Sequence, residues 1–263
     1  MKKCCMSVLA LFTLFSLGAC SNETPNEGNQ NETVQTWKDQ LISDDEIVIG
    51  ISPDYPPFEN LTTTGEIEGF DIDMANALME YFSSEGDMTL TWEKMEFSNI
   101  VSSVQLGTID MGISGFTYDP NRQVLFSDPY MDSAQVIMVA PNSQISKAED
   151  LDGKIVGVQL GSTGEKAAQE NLANATIQSG AEVPLLVEAL KSGAIDAVVV
   201  DEAVAKNYAN EGVVKILDQA LVDESTSIIV KQGNDLLVEK VNEAIASFKE
   251  SPAYEELKTK WGL

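Results

Sequence analysis

The chain has no histidine, and its three cysteines, Cys4, Cys5 and Cys20, all lie within the first twenty of its 263 residues. The absence of histidine excludes Ser-His-Asp and Cys-His catalytic groups and histidine-bound zinc. The absence of cysteine after position 20 excludes an internal disulfide or a thiolate metal site in the rest of the chain. We therefore expect no metal, no cofactor and no catalytic residue; any enzyme would depend on carboxylates.

Basic residues are also scarce: 16 Lys and Arg stand against 42 Asp and Glu, for a formal charge of −26. A protein that neutralises phosphates needs the opposite balance, so no nucleic-acid partner is expected. With 43% hydrophobic residues, the chain is long enough and apolar enough to form one large domain or two lobes.

The N-terminus reads as an export signal. Lys2 and Lys3 precede the apolar run 8–17, which is too short to span a bilayer. The run ends in Leu17-Gly18-Ala19-Cys20, which resembles a bacterial lipoprotein cleavage box; an ordinary signal peptide is the alternative. We predict a signal peptide over 1–19 and a lipid on Cys20 that holds the protein at the outer face of the cell membrane.

A flexible tether is predicted over 20–45, because residues 21–33 are polar and lack apolar side chains. Its last part is open to two interpretations. Residues 34–42 contain Trp37, Leu41 and Ile42, which predict either a docked helix or a continuation of the tether.

The body of the chain alternates strand and helix patterns, which predicts mainly parallel sheets covered by helices, in an α/β fold of two Rossmann-like lobes. The predicted strands are 47–51, 88–92, 109–113, 154–158, 175–178 and 195–200, and the predicted helices are 72–82, 98–104, 163–172 and 183–191. The apolar runs 135–140 and 227–230 predict a two-stranded hinge. Lobe 1 is then 46–134 with 226–263, and lobe 2 is 135–225, with crossings near 134–138 and 223–228. The cleft between them is a preferred place for a small ligand.

Arg122 is the only arginine, and it follows the third predicted strand. Its planar guanidinium suits a carboxylate, which it can bind with two parallel hydrogen bonds. The segment from Ser114 and Gly115 to Thr117 ends the same strand, where backbone N–H groups and hydroxyls can receive an anion. Together they predict a carboxylate receptor, whereas a surface arginine or an internal ion pair is the alternative.

Four more residues are candidates for the cleft. Thr163 opens a helix that Ser162 and Glu165 cap, and Asp201 ends a strand, where it either holds an ammonium group or caps the next helix. Tyr55 lies in a proline-rich loop, and Phe97 is either a second aromatic wall or core.

These segments, in this order, resemble the extracellular solute-binding proteins of ABC importers for polar amino acids, with the type II periplasmic-binding-protein fold, over about 47–261. The segments that carry the resemblance are Tyr55-Pro56-Pro57-Phe58-Glu59, Gly69-Phe70-Asp71-Ile72-Asp73, Ser114-Gly115 with Thr117 and Arg122, Phe126-Ser127-Asp128-Pro129-Tyr130, Gly161-Ser162-Thr163 and Ile195-Asp196-Ala197 with Asp201.

The resemblance implies a role for each candidate. Arg122 binds the α-carboxylate of a free amino acid, Asp201 binds its α-ammonium, and the remaining receptor groups are Ser114, Gly115, Thr117 and Thr163. Tyr55 and Phe97 enclose the ligand side chain, and Ser52 and Gln159 tune selectivity. Some members specific for basic amino acids have an acid at the position of Ser52, so this departure argues against a cationic ligand, although a cation could lie between the two aromatic rings.

The function implied is capture of a polar or basic amino acid by hinge closure and delivery to an ABC permease and ATPase complex. We expect a monomer and no enzyme. Two alternatives are a dehydratase that uses Asp201 or Glu202 as acid and base, and a ligand sensor.

Overall fold

The structure is a computed structural model that describes residues 35–43 and 45–263, which form one compact unit. The predicted signal peptide, Cys20 and the tether up to residue 34 lie outside the described residues. In the part of the chain that is described, no helix has the length and hydropathy needed to cross a membrane.

Helices and strands alternate along most of the chain. The main strands are β1 (Glu46–Ile51), β2 (Asp54–Tyr55), β3 (Glu59–Leu61), β4 (Ile67–Glu68), β5 (Thr89–Lys94), β6 (Met111–Thr117), β7 (Val124–Phe126), β8 (Met131–Val139), β9 (Ile155–Gln159), β10 (Thr176–Gly180), β11 (Ala197–Asp201), β12 (Lys215–Ile216) and β13 (Val222–Lys231). The α-helices are α1 (Phe70–Phe82), α2 (Phe97–Leu106), α3 (Thr163–Asn171), α4 (Val183–Ser192), α5 (Glu202–Asn210), α6 (Asp235–Glu250) and α7 (Pro252–Trp261).

One continuous sheet runs in the order β10-β9-β11-β8-β13-β6-β1-β5, with β12 beside β8 and β7 beside β13. β1 is parallel to β5 and β6, and β9 is parallel to β10 and β11, as the alternating pattern predicts. The long strands β8 and β13 pair antiparallel and carry the chain between the two halves. We call the half around β1, β5 and β6 lobe 1 and the half around β9, β10 and β11 lobe 2; the residue limits predicted for them stay a prediction.

Amphipathic helices bury the sheet. The apolar face of α1 contributes Ile72, Met74, Ala75, Leu78 and Phe82, each less than a tenth exposed. Their spacing is the helical repeat read from the sequence, and each large side chain contributes roughly 1.5–3 kcal/mol on burial. Because α1 also packs on α6 and α7, the C-terminal helices complete lobe 1.

Two strands begin two residues later than predicted. The strand expected over 109–113 runs over Met111–Thr117, and the one expected over 195–200 runs over Ala197–Asp201. The reason at the first is local: the Asp110 carboxylate accepts hydrogen bonds at 2.7 Å from the backbone N–H groups of Ile42 and Val48. Both strands also end later than predicted, and Thr117 and Asp201 are their last residues.

Residues 35–43 are docked on lobe 1 and do not extend the tether. The Trp37 ring is 7% exposed, lies 5.5 Å from the Phe82 ring and donates an indole hydrogen bond of 2.8 Å to Glu85. The element is a short 3-10 helix, Lys38–Gln40, and not an α-helix. The structure therefore agrees with a docked segment and not with a continued tether, but the segment does not form an α-helix.

Candidate functional site

A narrow cavity lies where the two lobes meet. Its lining comes from both lobes and consists of Tyr55, Phe97, Ser114, Gly115, Thr117, Arg122, Gln159, Ser162, Thr163 and Asp201. The structure thus brings together nine of the ten residues selected from the sequence. Ser52 is not in the lining, and Ser162, considered only as a helix cap, is.

Arg122 forms one wall of the cavity. Its guanidinium lies 5.2 Å from the centre of the Phe116 ring and 5.7 Å from that of Phe97. Nη1 donates to the Thr117 carbonyl at 3.0 Å and Nη2 to the Gly161 carbonyl, on lobe 2, at 2.9 Å. Burial lowers the pKa of the guanidinium, an effect that nearby acids oppose, and the group stays charged.

An internal ion pair does not account for this arginine. Among the described residues, no ion pair within 4.0 Å includes Arg122. Two of its five N–H groups are used on carbonyls, so three remain to face an anion. A guanidinium at the cavity wall with free donors is a carboxylate-binding group.

The hydroxyl that accompanies Arg122 differs from the sequence-based expectation. The Ser114 hydroxyl donates to Glu59 at 2.7 Å and accepts from the backbone N–H of Ser52 at 3.1 Å. Its hydrogen is therefore not available to a ligand in the cavity. Thr117 Oγ1, in contrast, is buried and has no hydrogen-bond partner among the described residues. Thr117 is therefore the hydroxyl available to a bound anion.

Gly115 forms the floor of the cavity in a backbone conformation that favours glycine, with φ +60°. A Cβ atom there would lie in ordinary contact with the Tyr55 ring, at 3.5 Å, so the backbone conformation and not space favours glycine here. Its N–H donates to Asp71 at 3.3 Å, away from the cavity.

Asp201 is the acidic end of the cavity. Its carboxylate accepts from the Tyr55 hydroxyl at 2.6 Å, from Gln135 Nε2 at 3.2 Å and from the Ser133 hydroxyl. Asp201 occupies the N-cap position of α5, but its side chain makes no capping bond, which favours the binding interpretation of this residue. Burial raises the pKa of the carboxyl to about 6; the hydrogen bonds from Ser133 and Tyr55 act in the opposite direction.

Two aromatic residues bound the space between these charges. Phe97 begins α2, is 7% exposed and stacks on Phe116 at 4.7 Å. Tyr55 stacks on Phe58 at 6.4 Å, and its hydroxyl also accepts the backbone N–H of Asp201 at 3.0 Å. Both interpretations of Phe97 apply, because the ring packs in the core and lines the cavity.

The N-terminus of α3 closes the lobe 2 side. The Ser162 hydroxyl accepts from the Glu165 N–H at 3.0 Å, while the Glu165 carboxylate accepts from the Gly161 N–H at 2.8 Å. The Thr163 hydroxyl donates to Glu224 on β13 at 2.9 Å. These bonds fix the start of α3 against the cavity.

The sequence analysis did not select three polar residues of the crossing strands. Gln135 donates to both Asp201 and Glu224, and Ser133 donates to Asp201. The signal was present: Ser133 and Gln135 are polar, alternate on β8 and therefore point to one face in an otherwise apolar strand. The register places Gln135 opposite Val222, so the side chains of both crossing strands meet here.

Ser52 acts one layer away. Its hydroxyl donates to Asp54 at 2.8 Å, and Asp54 also accepts from Gln159 Nε2 at 2.9 Å and from the Val183 N–H at 3.0 Å. Gln159 and Val183 belong to lobe 2, so Asp54 links the lobes beside the cavity. Burial raises the pKa of Asp54, whereas these three donors lower it.

The cavity adjoins a wider and more open cleft, which shares Thr117 and Thr163 with it. Acidic residues dominate the rest of that cleft: Asp132, Glu170, Asp223 and Glu224, with Lys166. Within the described chain, no three acidic, cysteine or histidine side chains are grouped so as to hold a metal ion. The arrangement of one guanidinium opposite one buried carboxylate fits a zwitterion.

Comparisons with known proteins agree with this geometry. Residues 47–263 match the family described as bacterial extracellular solute-binding proteins, family 3. The arginine-binding extracellular protein ArtP of Bacillus subtilis (strain 168) is 30% identical over 99% of this chain and 98% of its own length. The ABC transporter arginine-binding protein 1 of Escherichia coli (strain K12) is 31% identical over 82% of this chain and 90% of its own.

Solved structures give the same picture. The substrate-binding protein of an amino acid ABC transporter has 38% identity and a TM-score of 0.76 over 82% of this chain and 98% of that one. An ancestral arginine-binding protein bound to arginine has 36% identity and a TM-score of 0.76 over 82% and 97%. An ancestral amino acid-binding protein described as a precursor of cyclohexadienyl dehydratase has 32% identity and a TM-score of 0.78 over 85% and 98%.

Proposed function

Because the chain belongs to family 3 of the bacterial extracellular solute-binding proteins, with the type II periplasmic-binding-protein fold, we propose that it holds a free amino acid in the cavity between its lobes and delivers it to an ABC importer. The α-carboxylate binds Arg122 and the Thr117 hydroxyl, and the α-ammonium binds Asp201. Thr163 and the Ser114–Gly115 segment complete the lining of the receptor.

The observation that carries this assignment is the state of Arg122. A partly buried guanidinium with three N–H groups left over can bind an anionic partner, and no ion pair within the described chain supplies one. Thr117 Oγ1, buried and without a partner, lies on the same cavity wall. Opposite them, Asp201 is the acid that an ammonium group requires.

The cargo that we propose is L-arginine, with L-glutamine as the second candidate. Relatives named for arginine support the first, and an ancestral arginine-binding protein solved with glutamine supports the second. Ser52 lacks the carboxylate expected for a cationic ligand; the Asp54 carboxylate lies behind the lining, bonded to the Ser52 hydroxyl at 2.8 Å and to Gln159 of the lining at 2.9 Å. Tyr55 and Phe97 then flank the ligand side chain, and Gln159, which bonds to Asp54, tunes selectivity.

Hinge closure is the proposed mechanism of capture. Four contacts cross the cleft: Tyr55 to Asp201, Gln159 to Asp54, the Val183 N–H to Asp54, and Arg122 to the Gly161 carbonyl. The chain passes between the lobes only through β8 and β13 within the described residues, so a rotation there opens all four contacts together. The closed form then docks on the permease and ATPase complex.

We also propose that the protein acts as a monomer held at the membrane by a lipid on Cys20, in the sequence Leu17-Gly18-Ala19-Cys20. Metabolic labelling with a fatty acid tests this. Label on the wild type and none on Cys20→Ser is expected; equal label on both proteins would contradict the anchor.

An enzyme is not the function proposed. Glu202, one of the two carboxylates considered as a catalytic acid, pairs with Lys206 at 2.8 Å and does not line the cavity. Asp201 does line it, and one structural relative is named as a dehydratase precursor, so incubation with prephenate is the direct check. Product formation that Asp201→Asn abolishes would overturn the proposal. A sensor role would require a signalling partner in place of the permease.

Titration calorimetry of purified protein, refolded to remove carried-over ligand, tests the site. L-arginine, L-glutamine and L-histidine are compared on wild type, Arg122→Ala and the control Lys191→Ala, whose side chain is exposed and pairs with Glu188 on α4. We expect binding by wild type and the control and at least a tenfold loss in Arg122→Ala. Equal affinity in all three proteins would overturn the assignment.

A further inference from the structure

Two fully buried carboxyl groups lie directly under the proposed carboxylate receptor. Glu59 on β3 and Asp71 in the first turn of α1 are both 0% exposed. Each has one oxygen, Glu59 Oε2 and Asp71 Oδ1, that has no hydrogen-bond partner among the described residues. The other oxygens bond to consecutive residues, Glu59 to the Ser114 hydroxyl and Asp71 to the Gly115 N–H, so the two carboxyl groups are neighbours. Two acceptors cannot bond to each other without a hydrogen between them.

The backbone forces this pairing. Gly69 precedes α1 with φ +143°, and a Cβ atom there would lie 2.1 Å from the Phe58 carbonyl oxygen. The close approach allows the Asp71 N–H to donate to that carbonyl at 2.9 Å, which brings the first turn of α1 against β3. This contact holds the segments that carry the two carboxyl groups side by side.

No cation neutralises the pair. None of the ion pairs within the described residues includes Glu59 or Asp71. The titratable groups that face them are Asp54, Tyr55 and Tyr130. From the helices packed on α1, Lys240 bonds to Glu85 and Lys260 bonds to Asp73, both at 2.6 Å.

The remaining hydrogen bonds show which oxygen lacks a donor. Asp71 Oδ2 accepts from the Tyr130 hydroxyl at 3.1 Å and from the Gly115 N–H at 3.3 Å, and Glu59 Oε1 accepts from the Ser114 hydroxyl at 2.7 Å. One hydrogen between Glu59 Oε2 and Asp71 Oδ1 would satisfy both remaining oxygens. Two buried charges in contact would leave both unsatisfied and repelling.

We propose that Glu59 and Asp71 share one proton and act as positioning residues, holding Ser114 and Gly115 in the conformation that receives the ligand carboxylate. The proton resides on Glu59, which donates to the Asp71 carboxylate. This inference rests on the proposed function for its binding consequence, whereas the shared proton itself is a property of the folded chain.

The pKa values of both carboxyl groups are shifted in the direction that favours a bound proton. Burial and the charge of Asp71 raise the pKa of Glu59 well above its ordinary 4.5, and burial also raises that of Asp71, against the bonds from Glu59 and Tyr130. The folded chain therefore keeps a proton that the unfolded chain loses above about pH 4.5. Stability from this proton is full below that pH and is lost as pH rises toward the folded pKa.

The hydrogen count gives a test with four variants. In Glu59→Gln the amide supplies the shared hydrogen permanently, and in Asp71→Asn the amide supplies it from the other side. The double variant has two donors facing each other, one hydrogen too many. Glu80→Gln, at an exposed position on α1, is the matched control.

Urea unfolding without ligand, between about pH 5 and pH 8, is the first measurement. One proton makes the unfolding equilibrium constant of wild type rise by up to tenfold per pH unit relative to Glu59→Gln. We expect Glu80→Gln to have the same pH dependence of unfolding as wild type. In the double variant, the unfolding equilibrium constant should rise by more than the product of the two single-variant increases. An identical pH slope in wild type and Glu59→Gln, or a multiplicative double variant, would overturn the shared proton.

Ligand binding and infrared spectroscopy complete the test. We expect the double variant to bind its amino acid at least tenfold more weakly than either single variant; equal affinity in all three would overturn the positioning role. If a variant does not fold, the wild-type spectrum decides: a carboxylic acid carbonyl band must persist near pH 7 and disappear at higher pH, and its absence would overturn the proposal. Failure of wild type to bind any amino acid would count against the proposed function alone, because the unfolding slopes need no ligand.

Discussion

Replacement of Arg122 by alanine, measured against two forms of the same ligand, isolates the proposed carboxylate bond. The ligand is the amino acid that most raises the melting temperature in a screen of the common amino acids, since a ligand at a hundred times its Kd adds about 2.7 kcal/mol. Its carboxamide has the same side chain and ammonium but no negative charge. A residue that acts only on the carboxylate must affect the acid and spare the amide.

The magnitude follows from the geometry of the guanidinium. Three of its N–H groups are free, enough for a bidentate pair with a carboxylate, and the cavity wall is largely removed from water. Removing one partner of a desolvated charge pair costs about 2–5 kcal/mol, or roughly thirtyfold to several thousandfold in Kd. The substitution also removes the hydrogen bonds to the Thr117 and Gly161 carbonyls. Each loss lowers the free energy of unfolding by about 1 kcal/mol, which corresponds to a fall of a few degrees in melting temperature.

Calorimetry on four combinations measures this coupling. Wild type should prefer the acid to the amide by at least thirtyfold, and Arg122→Ala should bind both with similar affinity. An acid-to-amide ratio that is unchanged by the substitution would refute the reasoning, even if the variant bound both ligands weakly. Arg122→Lys should fall between, because an ammonium keeps the charge but not the bidentate geometry.

Three further predictions concern single side chains. The affinity for the ligand should fall by up to tenfold per pH unit below about pH 6 by calorimetry, because binding needs the ionised Asp201, whose pKa is about 6; Asp201→Asn should be weak at every pH. Tyr55→Phe should bind at least as tightly as wild type, since its hydroxyl competes with the ligand ammonium for Asp201; a tenfold loss would contradict this competition. Trp37→Ala should lower the free energy of unfolding by about 1–3 kcal/mol in urea, because it empties the contact with Phe82 and frees Glu85, and should leave the affinity unchanged.

Sequence patterns predicted the parts of the fold that depend on local periodicity. The apolar spacing of α1 and the strand–helix alternation depend on neighbours along the chain, so they can be read directly. Sheet order cannot, because β13 joins β8 and β6 across about a hundred residues. The continuity of one sheet through both lobes was therefore not predicted, although the two crossing segments were.

Some residues of the site could likewise be predicted from the sequence, and others could not. Arg122 was conspicuous because it is the only arginine, and Asp201 because it ends a strand. The roles of Ser114 and Thr117 could not be separated, since the choice depends on Glu59, more than fifty residues away, taking the serine hydrogen. Glu59 itself attracted attention only as part of a motif, because nothing in a sequence shows that two carboxyl groups will be buried in contact.

The contacts that cross the cleft differ in how a bound ligand affects them. The bonds that Asp54 makes to Gln159 and Val183 do not use Arg122, Thr117 or Asp201, the groups proposed to hold the ligand charges, so they stabilise the closed form whether or not an amino acid is bound. The Tyr55 bond to Asp201 differs, because the ligand ammonium needs the same carboxylate. A ligand shifts the opening equilibrium only by its difference in affinity for the two forms. That difference must come from groups that the closed protein leaves unsatisfied, Arg122 and Thr117, so a ligand without a carboxylate should bind the open form without closing it.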